Sequence, residues 1–111
     1  MAFDIVLAPD AVATLKSFPV PVRTGVVKAL AVHLTHEPRK VGKSRIKRLR
    51  WLRQPQYRLR VGDIRVFYDV TETQVQVLAI VTKAEAQTWL DEQGAPETPG
   101  GEGGGAGEGQ G

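Results

Sequence analysis

The chain has 111 residues, with 15 Lys and Arg, 12 Asp and Glu, two His and no cysteine. That length suits one small domain with one core, and the lack of cysteine excludes a disulfide framework and a thiolate zinc site. No stretch nears the roughly 18 apolar residues of a membrane span, and no basic region precedes the short apolar run at the N-terminus. Neither a membrane partner nor a secretion signal is therefore expected, and a reducing, cytoplasmic setting fits. The net charge of +3 hides a split: residues 95–111 hold Glu97, Glu102 and Glu108 without a base, whereas eleven of the 15 bases lie between Arg39 and Arg65. Charge concentrated in this way favours a polyanionic partner.

In chain order, Phe3–Ala8 predicts a short strand that Pro9 ends. Asp10 is placed to cap a helix through Phe18, with Val12, Leu15 and Phe18 on one side. Pro19-Val20-Pro21 breaks it. A second helix is expected from about Val22 to His36, where Val22, Val26, Leu30 and Leu34 recur at i+4 with Val27 beside them as a core-facing stripe. Glu37-Pro38 ends it. The two helices read as a hairpin laid on a sheet. His33 and His36 stand at i, i+3, a metal-compatible spacing with no evident third ligand. Near a helix C-terminus, histidines complement the dipole, and neither metal nor cofactor is expected.

Residues 39–53 carry eight bases and no acids. They predict a basic connector anchored by Val41, Ile46, Leu49 and Leu52. Lys43, Arg45, Lys47, Arg48, Arg50 and Arg53 form either a solvated loop or an electrostatic footprint for a polyanion. Trp51 can stack on a base or cover the edge of the core, and the latter is the expectation for a lone aromatic.

Tyr57 to Val70 predicts a β-hairpin closed by Gly62-Asp63. A two-residue turn pairs Val61 with Ile64, Arg60 with Arg65, Leu59 with Val66 and Arg58 with Phe67. One face is then Tyr57, Leu59, Val61, Ile64, Val66 and Tyr68. The other carries Arg58, Arg60 and Arg65 around Phe67. Like charges opposite one another destabilise a strand pair. The arginines are either a solvated face or an anion site, for which guanidinium forks match phosphate oxygens. Thr71–Gln74 predicts a second turn and Val75–Val81 a third strand. With Glu72-Thr73 as the turn, Tyr68 faces Val77 and Val66 faces Ala79 on the core side, while Phe67 faces Leu78 and Arg65 faces Ile80 on the other. A last helix is expected from Lys83 to Glu92, stopped by Gly94. The expected domain is 1–93. Residues 94–111, nine of them glycine, predict a disordered acidic tail.

This order of elements, with Tyr57-Arg-Leu-Arg-Val-Gly-Asp-Ile-Arg-Val-Phe-Tyr-Asp-Val70 followed by Val75-Gln-Val-Leu-Ala-Ile80, resembles the RelE/ParE superfamily of bacterial type II toxins over about residues 2–92. The resemblance implies an α+β fold: a small antiparallel β-sheet with an N-terminal helical hairpin packed on one face. It implies a cognate antitoxin that covers the basic surface, with operator DNA reached only through the antitoxin complex. RelE-like members cut mRNA on the ribosome, the ribose 2′-hydroxyl attacking the adjacent phosphate. ParE-like members inhibit DNA gyrase without catalysis. Carried onto this chain, the catalytic positions are Arg58, Arg60, Arg65 and Lys83, and Trp89 falls where RelE-type enzymes place a tyrosine. Arginine is a poor general base and Trp89 has no ionisable hydroxyl, so Trp89 is expected to stack on RNA and Lys83 to be the group able to move a proton. The expected function is a RelE-like toxin that stops translation by ribosome-dependent mRNA cleavage. The alternatives are a ParE-like gyrase inhibitor or a non-toxic nucleic-acid binder.

Overall fold

The computed structural model describes residues 1–96, so the expected tail lies outside the described residues from position 97 onward. The elements are β1 (Asp4–Leu7), α1 (Pro9–Ser17), α2 (Val20–Leu34), β2 (Ile46–Arg48), β3 (Leu52–Gln54), β4 (Tyr57–Val61), β5 (Ile64–Val70), β6 (Gln74–Thr82), α3 (Lys83–Gln93) and β7 (Ala95–Pro96). Five strands form one sheet in the order β1-β6-β5-β4-β2, and β3 pairs with β7. The sheet is antiparallel except at one edge, where β1 runs parallel to β6.

β4 and β5 form the expected hairpin, with Arg60 opposite Arg65 and Arg58 opposite Phe67. Gly62 in its turn has φ +57°, a conformation that strains any residue with a side chain. The space around it is open, so the requirement is conformational rather than steric.

From β5 to β6 the register departs from simple alternation. Val70 partners Val75 and Tyr68 partners Val77 as expected, but Phe67 then partners Ala79, Val66 partners Ile80 and Arg65 partners Val81. A β-bulge at Leu78 adds one residue and switches which side chains face which way. Ile80, expected beside the arginines, enters the helix-covered core, and the smaller Ala79 takes the outer face. The larger apolar group thereby gains the deeper site.

The helices cover one face as expected. Ala11, Leu15 and Phe18 of the α1 region and Val26, Leu30 and Leu34 of α2 pack on Leu59, Val66, Tyr68, Val75, Val77 and Ile80. Burial of each such Val or Leu contributes about 1.5–3 kcal/mol. Val22 and Val27 flank this stripe and stay largely exposed. Both helices start earlier than the sequence suggests. Pro9 opens α1, and Ala8 is its N-cap, so Asp10 does not cap but lies in the first turn, where its charge complements the dipole. Pro19 caps α2, Pro21 lies in its first turn, and the helix ends at Leu34. First-turn N–H groups have no intrahelical acceptor, so proline loses nothing there.

The basic connector is more ordered than expected. β2 extends the sheet by pairing Ile46, Lys47 and Arg48 with Leu59, Arg58 and Tyr57. Leu49 and Leu52 are buried anchors, but Val41 is exposed. Gly94 packs against Leu52, and Ala95 and Pro96 pair with β3, so these three residues belong to the folded body rather than to a tail. On the outer face of the sheet, Phe67 and Ala79 form a second, smaller core with Leu49, Leu52, Ala86, Trp89 and Leu90. α3 is fixed there by a capping box: Glu85 N–H donates to the Thr82 hydroxyl and Thr82 N–H to the Glu85 carboxylate, both at 3.3 Å.

Candidate functional site

Alternation puts Lys47, Arg58, Arg60 and Arg65 on the outer face, beyond the edge of the second core. Lys47, Arg58 and Arg65 join Lys83 and Trp51 around an open concavity of about 250 Å³, floored by Leu49, Phe67 and Leu90. Lys83 arrives as the first residue of α3, whose backbone N–H donates to Asp63 O at 2.7 Å and ties the hairpin turn to the helix. Arg60 is exposed, at the rim.

The three arginines are held on neutral acceptors. Arg65 Nη1 donates to the carbonyls of Gly62 at 2.8 Å and Ile64 at 3.0 Å. Arg58 Nη2 donates to Ser44 O at 2.9 Å, and Arg60 Nη2 to Ser44 Oγ at 3.3 Å. Among the described residues the one salt bridge is Lys40–Glu37, outside this group. Burial, then the charges of Arg65 and Arg60, push the Arg58 guanidinium below its ordinary value. Arginine remains charged at physiological pH, so this crowding is a standing electrostatic cost that a bound anion relieves. No carboxylate or imidazole lines the concavity, and groups able to move a proton there are confined to Lys47 and Lys83. Chemically, such an arrangement of cations can hold an anion.

The two tryptophans take places opposite to those expected. Trp89 stacks on Phe67, with ring centroids 5.1 Å apart and planes at 7°. It lies in the second core and does not line the arginine concavity, because its helical position turns it toward α1. It therefore has no free face toward Arg58 and Arg65. Trp51, expected to cover the core, is 54% exposed at the concavity, since Leu49 and Leu52 on either side already supply the packing.

The basic run also divides. Lys47 points to the concavity. Arg48, its neighbour on the strand, points to the other face, where it lies over the Tyr57 ring at 5.2 Å and donates to Gln56 O at 2.8 Å. Arg45 lines a separate concavity with His33, His36 and Lys40. There, burial and then the Arg45 charge hold His33 below its ordinary value. Lys43, Arg50 and Arg53 are exposed and outside the concavity.

One supporting residue escapes sequence reading. Asp69, buried on β5, accepts from Gln54 Nε2 at 2.7 Å and from Gln56 N at 2.8 Å. Gln56 Oε1 in turn accepts from Val70 N at 2.9 Å. These bonds bolt the turn that carries Trp51 onto the central strand. The available signal was the one acid of the strand, set between Tyr68 and Val70.

Comparison with known proteins supports both the fold and a family. A chain of the RelBE2 toxin–antitoxin complex from Mycobacterium tuberculosis superposes with a TM-score of 0.57 at 24% identity, covering 74% of this chain and 99% of that one. A chain of the archaeal RelE–RelB complex from Pyrococcus horikoshii superposes with a TM-score of 0.55 at 21% identity, covering 75% and 97%. No curated protein matches the sequence. The family model for the ParE toxin of the type II toxin–antitoxin system parDE matches residues 5–87. With the mixed sheet, the helical hairpin and the hairpin motif in place, the chain belongs to the ParE toxin family, within the RelE/ParE superfamily of type II toxins.

Proposed function

We propose that this toxin acts on RNA in the RelE manner, stopping translation by binding and cleaving mRNA on the ribosome. The observation that carries this reading is the convergence of Lys47, Arg58, Arg65 and Lys83 on one concavity without a compensating carboxylate. In the proposed reaction the ribose 2′-hydroxyl attacks the adjacent phosphorus and the 5′-oxygen of the next nucleotide leaves. Arg58 and Arg65 stabilise the charge that builds on the non-bridging oxygens, and Arg60 guides the backbone from the rim. Lys83 exchanges the protons, with Lys47 alongside it. Positioning and electrostatics supply most of the rate, the ribosome holding the strand in place. A cognate antitoxin is the natural partner, covering this basic surface, and operator DNA is reached only through that complex. The relatives in toxin–antitoxin complexes support such a partner.

A second reading, non-catalytic inhibition of DNA gyrase, is favoured by the family match and by a site without carboxylate or imidazole. Regulated expression without antitoxin, with translation and supercoiling assayed in parallel, separates the two. Codon-internal cuts on translated mRNA, lost in Arg65→Ala, are the expected result. Intact transcripts together with blocked supercoiling would overturn the RNA reading in favour of the second. Unaffected growth would leave a non-toxic nucleic-acid binder.

A further inference from the structure

A lone exposed aromatic carries little meaning, but Trp51 has three features that set it apart. Its turn is held from every side. Leu49 N–H donates to Gln56 O at 2.8 Å and Leu52 N–H to Leu49 O at 3.1 Å. The buried Asp69 carboxylate accepts from Gln54 and Gln56, and Leu52 and Gln54 pair with β7. The indole also stands outside the second core, which Leu49 and Leu52 help fill without it. Finally, it shares its concavity with Lys47, Arg58, Arg65 and Lys83. A cationic clamp beside a rigid, half-exposed aromatic plane matches the two halves of a nucleotide, phosphate and base.

We infer that Trp51 is a stacking platform for a nucleobase of single-stranded RNA whose adjoining phosphate is held by Arg58 and Arg65. The inference deepens the RNA-directed reading and rests on it. Sequence-tolerant stacking follows, since every base offers a π-face. The turn at Arg50-Trp51 then orients the strand, and Asp69, which touches no RNA, is a positioning residue that fixes the plane before binding.

The test is equilibrium binding of the full chain to a short RNA oligonucleotide and to an abasic strand with the same ribose-phosphate backbone. The wild-type chain should bind the RNA about tenfold more tightly than the abasic strand at equal salt. Trp51→Ala should abolish that preference while leaving abasic binding and the salt dependence unchanged, and Trp51→Tyr should restore most of it. Asp69→Asn should weaken the preference and leave abasic binding in place. Equal binding of both strands by the wild type would overturn the platform while leaving the phosphate site and the RNA reading standing. A preference that survives in Trp51→Ala would overturn it as well. Failure to bind either strand, with translation unaffected in the expression assay, would remove the RNA reading itself.

Discussion

The two faces of the central sheet obey different rules. The face under α1 and α2 is a continuous apolar layer in which Leu59, Val66, Tyr68, Val75 and Val77 are fully buried. The outer face has an apolar half, Phe67 and Ala79 beneath α3, and a cationic half, with Arg60 opposite Arg65 and Arg58 opposite Lys47. The same strands supply both. Alternation sends every second residue to each side, so β4 reads apolar at Leu59 and charged at Arg58 and Arg60. Stability is concentrated on the first face. The second gives up favourable pairing to concentrate positive charge.

The largest effect should come from the helix-covered face. Leu59→Ala removes a fully buried side chain and should lower unfolding free energy by about 2–5 kcal/mol. That is a large part of the roughly 5–15 kcal/mol typical of a small domain. Urea unfolding followed by circular dichroism measures it, and a loss below about 1 kcal/mol would break the contrast between the faces. Next comes the joint between the central strand and the turn that carries Trp51. Asp69→Ala strips the acceptor from Gln54 and Gln56 and should cost about 1–3 kcal/mol. Hydrogen exchange should speed at Gln56 and Leu49 while β6 stays protected.

A smaller effect is expected at Tyr68, which links the sheet to the exit of α2. Its hydroxyl donates to Pro38 O at 2.7 Å, and its ring stacks on Tyr57 at 5.4 Å. Tyr68→Phe leaves that carbonyl without its donor and should cost about 1 kcal/mol. Burial first, then the neighbouring Tyr57, raise the Tyr68 hydroxyl above its ordinary value of 10.0, with Arg58 opposing. The folded state therefore holds the proton more tightly than the unfolded state. The resulting stability is fully present below pH ~10 and is lost as pH rises beyond it. An alkaline titration of unfolding should decline above pH ~10 in the wild type, and the decline should flatten in Tyr68→Phe.

How much of this was legible in the sequence depends on range. The hairpin and its register followed from Gly62-Asp63 and strict alternation, both local. The bulge at Leu78 was not legible because it is decided by competition between Ala79 and Ile80 for a core that only the helices define. β2 was hidden for a related reason: in a run so basic, the single buried Ile46 between Arg45 and Lys47 looks like a loop residue until Leu59 is placed opposite it. The candidate residues Arg58, Arg65 and Lys83, taken from the hairpin and the resemblance, lie around one concavity. Trp51 and Trp89 were misplaced because an aromatic's exposure depends on its neighbours, and Leu49, Leu52 and Phe67 come together only in three dimensions.

The smallest expected change in stability is the one that isolates why the arginines face each other. Arg60 is exposed and stands directly opposite Arg65, bonded only weakly through Ser44 Oγ at 3.3 Å. Arg60→Glu would replace a repulsive cross-strand pair with an attractive one. Such pairs contribute about 0.2–1 kcal/mol, so the variant should be more stable than the wild type by that order, read as a raised midpoint in urea with an unchanged slope. The same change puts a negative charge at the mouth of the concavity. If the arginine face serves an anion, growth arrest on expression should weaken even as the fold strengthens. A variant that is both less stable and equally toxic would mean that Arg60 is there for the sheet rather than for the ligand.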